Sequence, residues 1–297
     1  MKPVSFRSCG VILVGVGSIM AVFYMSAPSL PGGSQSFLIN ESETVRSIST
    51  RLEDAGVIRS SLLLRATISF QGKDRHIQLG QYVFDEGLSA LAAAKRITAD
   101  GPSMPLLSVT IPEGSTNKEV AAAVHKVLPG ISEAGFLSRS NKLPMQGSLY
   151  PSTYALLPSY TEDDIIQTMT TTFTREYSRQ FGKLPFPQDV KDIPQVLSLA
   201  SILEGEAKTP YDMKVVSGIL QNRLAIGMAL QVDVVPETYQ SRGIPLPAHN
   251  NPGSIAIDAV FHPIATDYLY YITGRDGTMY YAKTFTQHKE HIRKYLR

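Results

Sequence analysis

Residues 194–203 constrain the fold of this chain more than any other stretch. Pro194 suits the first turn of a helix and Gly205 suits its end. Between them, Val196, Leu197, Leu199, Ala200, Ile202 and Leu203 point in nearly every direction around a helical wheel. A helix that is apolar on all sides is interior, so the surrounding chain must wrap around this one. The same segment ends in two carboxylates, Glu204 and Glu206. Glu204 shares a face with Leu197, Ala200 and Ser201 at spacings of seven, four and three residues, so its carboxyl points where water is scarce. Burial without a partner penalises the ionised form and raises the pKa. A glutamate at its ordinary value of about 4.3 is roughly 0.2% protonated at pH 7, whereas one near 6.3 would be roughly 17% protonated. The segment therefore reads as a general-acid site. Glu206 falls on the face of Leu199, Ile202 and Leu203, where a structural hydrogen bond is the plainer role.

The chain of 297 residues is long enough for two modest domains. A net charge of +2 with no run of Lys or Arg excludes an electrostatic case for nucleic acid. Cys9 is the only cysteine, which excludes an intrachain disulfide and a cysteine-based metal site. Lys2 and Arg7 precede an uncharged apolar run from Ser8 to Ala27. About twenty apolar residues cross the hydrocarbon layer of a bilayer as a helix. Positive charge ahead of the span predicts a cytoplasmic tail over 1–7, a transmembrane helix over 8–27, and the rest of the chain on the far side. A cleaved signal peptide is the competing reading, but the run is long for one and Met25-Ser26-Ala27 is a weak cleavage site. The anchor is therefore favoured.

Residues 28–36 read as a flexible Pro-Gly-Ser linker. Residues 37–104 show a strand, two helices, a second strand at Gly80–Phe84 and a third helix, the pattern of a small α+β binding module. A connecting strand and helix follow over 105–143, with Thr116 as the helix N-cap. Residues 144–297 read as one α+β domain. It holds helices near 163–181 and 211–226, the Glu204 helix, a Pro-rich loop over 236–252, a hairpin around Asp276-Gly277 and a closing helix from Thr286.

Asn222-Arg223, then Gln231 and Asp233, set polar groups densely between apolar ones. Arg223 is placed to pair with Glu206 or Asp233, and Gln231 and Asp233 to hydrogen-bond a sugar; a helix end with a polar turn is the plainer reading. Asn250-Asn251-Pro252-Gly253 is a turn by composition, of the kind in which a scaffold often grips a ligand. No histidine pairing typical of a metalloprotease is present, and His288 and His291 lack a carboxylate on their own face. No metal or other cofactor is expected. A Gly-x-Ser-x-Gly elbow and a phosphate-cradling glycine loop are both missing from the sequence.

With these residues assembled, the chain resembles the YceG-like family of endolytic murein transglycosylases. The resemblance is carried by Ala200-Ser-Ile-Leu-Glu-Gly-Glu-Ala207, by Asn222-Arg-Leu-Ala-Ile-Gly-Met-Ala-Leu-Gln-Val-Asp233 and by Asn251-Pro-Gly-Ser-Ile255. Gly80-Gln-Tyr82, Val109-Thr-Ile-Pro-Glu-Gly114, Tyr150-Pro-Ser-Thr-Tyr154 and Tyr281-Ala-Lys-Thr-Phe-Thr-Gln-His288 add to it. It implies a single-pass protein of the inner membrane, with a LysM-like module and a periplasmic catalytic domain. It implies cleavage of the MurNAc–GlcNAc bond of nascent peptidoglycan strands, leaving a 1,6-anhydro-MurNAc end, and it suggests peptidoglycan synthases as partners. The family's catalytic glutamate falls on Glu204. Glu206, Asn222, Arg223, Gln231, Asp233 and Asn251 are the candidates for substrate contact or for support of the acid. The chain departs from the usual family pattern at Val234, Val235, Glu237, Ile244–His249, Gln146 and Ser152. A non-catalytic glycan-binding scaffold and a hydrolytic muramidase are the rival expectations.

Overall fold

A computed structural model describes residues 26–30, 33–40 and 43–296. The expected tail at 1–7, Cys9 and all of the expected span at 8–27 except Ser26 and Ala27 lie outside the described residues. No helix among the described residues is long and apolar enough to cross a membrane. Among the described residues the architecture is α+β, with helices and three small sheets. The chain divides into two compact units, one ending at Leu107 and including 155–159, the other formed by 108–154 and 160–297.

In the first unit, β1 (Gln35–Ile39) pairs antiparallel with β2 (Gly80–Phe84), which also pairs with the short β3 (Met104–Pro105). Phe37 and Ile39 alternate inward on β1, and Tyr82 and Phe84 do so on β2. They meet the apolar stripes of α1 (Val45–Asp54) and α2 (Ser61–Phe70), chiefly Ile48, Leu52, Leu64 and Ile68. A third helix, α3 (Ala90–Lys95), widens into a π turn at Arg96–Asp100. Thr44, Ser60 and Ser89 cap the three helices by accepting backbone N–H bonds.

Strand β4 (Leu107–Thr110) pairs with β5 (Thr153–Leu156), of which Ser108–Thr110 and Thr153–Tyr154 belong to the second unit. Helix α4 (Asn117–Val127) opens on a full capping box between Thr116 and Glu119. Helices α5 (Glu133–Ser140) and α6 (Glu162–Gln180) follow. Helix α7 (Ile193–Glu206) starts at Asp192, whose side chain accepts the Gln195 N–H at 3.0 Å, with Pro194 in the first turn. Val196 through Leu203 are all buried, as a helix apolar on every side requires. Helices α8 (Pro210–Ala225) and α9 (Ser254–Phe261) pack against α7 and share its core. Full burial of each such Leu or Ile contributes roughly 1.5–3 kcal/mol. The hairpin β6 (Tyr270–Thr273) and β7 (Met279–Ala282) turns through Gly277 at φ +79°, a conformation that suits glycine. Helix α10 (Phe285–Tyr295) closes over it.

Two helices escape the sequence reading. Helix α5 lies in a stretch that looks merely polar. Helix α9 has eight residues, is largely apolar and begins at Gly253 without a side-chain cap, so neither periodicity nor a cap announces it.

Candidate active site

The last turn of α7 projects Glu204 and Glu206 into two different surroundings. Glu204 is partly buried, and its Oε2 accepts the Gly253 N–H at 2.9 Å. Gly253 is the N-cap of α9, so the carboxylate takes up the N-cap N–H, as the third-residue side chain of a capping box would. Two glycines shape this corner. Gly114 sits at φ +74°, and a Cβ there would lie 3.0 Å from Glu204 Cγ. A Cβ on Gly253 would collide with the carboxyl group of Glu113. Burial raises the pKa of Glu204, the Gly253 N–H partly opposes this, and the nearby charge of Glu113 raises it further. The Oε1 atom of Glu204 accepts no hydrogen bond among the described residues, which leaves it able to carry and deliver a proton.

Asn251 holds this corner together. It is fully buried. Its Oδ1 accepts the Leu149 N–H at 2.9 Å, while its Nδ2 donates to Ser115 O at 2.9 Å and to Asn117 Oδ1 at 3.1 Å. Its backbone pairs with Gly114 and Ser115, at 2.9 Å in each direction. Asn251 therefore fixes Gly114 and Gly253 against Glu204 and has no surface to offer a substrate.

Glu206 faces a cleft of about 600 Å³ that Arg223, Gln231, Asp233, Tyr239 and Tyr271 also line. Both of its oxygens are occupied. Val234 N–H donates to Oε1 at 3.3 Å and Tyr271 O–H to Oε2 at 3.1 Å. Burial raises the pKa of Glu206, the two donors lower it, and Asp233 raises it. Burial and the Glu206 charge hold the Tyr271 hydroxyl far above its ordinary value, so it remains a donor. Asp233 is exposed and accepts the Tyr239 hydroxyl at 2.6 Å, and this bond holds that phenol up at about 12. Gln231 adopts φ +48° at the rim.

Arg223 forms neither of the expected ion pairs. It is 4% exposed; its Nε donates to Leu269 O at 2.7 Å, its Nη1 donates to Leu230 O, and its guanidinium lies 5.7–5.8 Å from the rings of Tyr270 and Tyr271. Carbonyls and rings satisfy it where carboxylates were expected. Asn222 points elsewhere, donating to Thr266 O at 2.7 Å and Tyr268 O at 3.2 Å, and so fastens the segment that leads into β6. The structure thus gathers Glu206, Arg223, Gln231 and Asp233 in one cleft and gathers Glu204 with Asn251 in the adjacent glycine corner. Glu113 was missed by sequence reasoning. Its only sequence signal is the Ile-Pro-Glu-Gly stretch, which reads as a helix entry. Among the described residues, no group of three or more His, Cys, Asp or Glu is placed to hold a metal ion.

Fold and site together define an α+β protein organised around two solvent-poor carboxylates at the end of a buried helix. The sequence matches the YceG-like family over residues 37–235 and 237–294, and the chain belongs to that family. Two curated relatives bear the name endolytic murein transglycosylase. The one from Bacillus subtilis is 23% identical in a gapped alignment 308 positions long that covers 87% of this chain and 84% of the relative. The one from Streptococcus pneumoniae strain D39 is 22% identical in a gapped alignment 327 positions long that covers 87% of this chain and 58% of the relative. The chain therefore spans little more than half the length of the pneumococcal protein. A crystal structure of a YceG-like protein from Listeria monocytogenes shares the fold with a TM-score of 0.57 at 21% identity, over 87% of this chain and 98% of that one.

Proposed function

We propose that this chain is a peptidoglycan lytic transglycosylase in which Glu204 is the general acid. The observation that carries this reading is the state of Glu204: partly dry, raised in pKa, held through one oxygen by Gly253 N–H and free at the other. The names of the curated relatives support murein as the substrate. In the finer form of the reading, protonated Glu204 donates to the glycosidic oxygen of a MurNAc–GlcNAc bond as the C1–O bond breaks. The carboxylate so formed takes the proton of the C6 hydroxyl, which attacks C1 of the same sugar and closes a 1,6-anhydro ring. No water is consumed and the acid is regenerated. Hydrolytic glycosidases generally need a second carboxylate to activate water or to form a covalent intermediate. An internal nucleophile replaces that water and gains from proximity. Glu206, with both oxygens occupied, positions the strand together with Gln231 and Asp233.

The same proposal places the protein in the inner membrane through residues 8–27, with 28–36 as linker, 37–104 as a LysM-like glycan-binding module and 144–297 as the periplasmic catalytic domain. Residues 105–143 connect the two and contribute Glu113 and Gly114 to the site. Nascent glycan strands are the substrate, and peptidoglycan synthases are the partners that would supply them. The test is mass analysis of products released from purified sacculi by the wild type and by Glu204→Gln. Anhydro-muropeptides from the wild type and a loss of at least about 100-fold in the variant are expected. Equal release by the two proteins would remove Glu204 from the chemistry, and products that have gained water would make the enzyme a muramidase.

A further inference from the structure

We propose that a second pocket in the catalytic unit, between the start of α4 and the loop at 247–250, binds the acidic peptide carried by the glycan and not the sugar itself. The inference rests on peptidoglycan being the substrate. The pocket holds about 380 Å³, and its polar lining comes from Asn117, Lys118, Asn141, Gln146, His249 and Asn250. Asn117 lies three residues beyond Gly114 and Asn250 three residues before Gly253, so the pocket adjoins in sequence both segments that hold Glu204.

Its amides are held in one orientation. The buried Asn251 donates to Asn117 Oδ1. Asn117 Nδ2 donates in turn to Asn141 Oδ1 and to Gln146 Oε1, both at 3.0 Å. Gln146 Nε2 ends the relay on Ser140 O at 2.9 Å and Leu143 O at 3.0 Å. Each amide is thereby fixed as donor or acceptor before a ligand arrives, which lowers the ordering cost of binding. Three groups remain without a partner among the described residues. Asn141 Nδ2 has no acceptor. Asn250 Oδ1 is buried without a donor, although a buried acceptor ordinarily has one. Lys118 has no carboxylate partner.

His249 adds no charge. Its ring bridges Ser201 Oγ at 2.9 Å and Asn250 Nδ2 at 3.1 Å, and the latter requires Nε2 to accept. The vacant set is therefore one amide donor, one acceptor and one cation. A peptide backbone supplies a carbonyl and an N–H, and its acidic side chains or terminus supply a carboxylate. In a peptide-bearing strand the lactyl carboxyl of MurNAc is tied up as an amide, so the sugars themselves supply no anion for Lys118. No tyrosine or phenylalanine lines this pocket, whereas Tyr239, Tyr270, Tyr271 and Phe285 line the Glu206 cleft, where the apolar faces of sugar rings would pack.

The test uses the full chain carrying Glu204→Gln, so that no ligand is consumed. It is titrated with a GlcNAc–MurNAc disaccharide bearing its peptide, with the same disaccharide stripped of peptide and its lactyl carboxyl capped as the methylamide, and with the free peptide. The free peptide is expected to bind, and Lys118→Glu to weaken the peptide-bearing ligand about tenfold more than the stripped one. Lys118 is exposed in the first turn of α4, where an acidic residue favours the helix, so the variant folds. Asn141→Ala should weaken the same ligand by a smaller factor. Equal weakening of both disaccharides by Lys118→Glu, or binding of the stripped disaccharide as tight as that of the peptide-bearing one, would overturn the inference. Failure of the transglycosylase reading would look different: the wild type would yield no anhydro product from any strand while the peptide still bound.

Discussion

Glu204 and Glu206 are separated by one residue on the same helix, yet their surroundings have little in common. Around Glu204 the walls are glycine and backbone: Gly114 and Gly253 bring main chain to the carboxyl, and only one of its oxygens is engaged. Around Glu206 the walls are tyrosine and arginine, and both oxygens accept hydrogen bonds. Burial raises the pKa of both groups, so desolvation alone does not tell them apart. The free oxygen does. A carboxyl with two donors on it is held as an acceptor, whereas one with a vacant oxygen can carry a proton to a substrate.

The largest effect that can test this division is loss of turnover. Glu204→Gln should lower the rate of anhydro-muropeptide formation by about 10²–10⁴-fold. Glu206→Gln should mainly raise KM, by about tenfold, because the amide can still accept Tyr271 O–H. If the two variants lose kcat equally, the distinction between acid and positioning group is wrong. Next comes the glycine wall. Gly114→Ala places a side chain at φ +74°, costing roughly 1–2 kcal/mol of stability, and its Cβ would press on Glu204 Cγ. A fall in Tm with a fall in kcat is expected; a lower Tm with full kcat would show that the wall does not position the acid.

The alkaline limb of the pH–rate profile sharpens the comparison further. Glu113 carries a like charge near Glu204 and raises its pKa. Glu113→Gln removes that charge, so the pKa of Glu204 falls, less of it is protonated near neutrality, and the alkaline limb of kcat/KM moves to lower pH. Gly253→Ala should move the limb the same way, because its Cβ displaces the Glu113 carboxyl. A limb that stays in place in both variants would remove Glu113 from the site.

Much of this architecture was legible in the sequence. An apolar wheel over 196–203 can only be interior, and it is. The cap at Thr116 and the Asp276-Gly277 turn follow from local chemistry that tertiary packing did not override. What sequence could not show is which long-range partner each carboxylate meets. Glu113 reaches Glu204 only because Gly253 lacks a Cβ, a coincidence between segments remote in sequence. Arg223 looked poised for a carboxylate, yet the nearby carbonyls of Leu230 and Leu269 satisfy it, since the Gly227 turn brings Leu230 back to the helix it left. Short helices such as α9 leave too few turns for periodicity to register.

The smallest effect concerns Tyr271. Removing its hydroxyl by Tyr271→Phe takes one donor from Glu206 and should cost about 1 kcal/mol near neutral pH. The sign of the pH dependence follows from the carboxyl. Burial raises the pKa of Glu206 in the folded state, so its contribution to stability is fully present below the unfolded value of about 4.3 and is lost as pH rises through the folded pKa. The tyrosine donor lowers that folded pKa, so its removal raises it and deepens the loss on the alkaline side. The stability gap between wild type and Tyr271→Phe should therefore be small near pH 4 and widen toward pH 8, as measured by urea denaturation across that range. A gap independent of pH would mean that Tyr271 supports the cleft by packing alone, and Glu206 would lose its claim to being held as an acceptor.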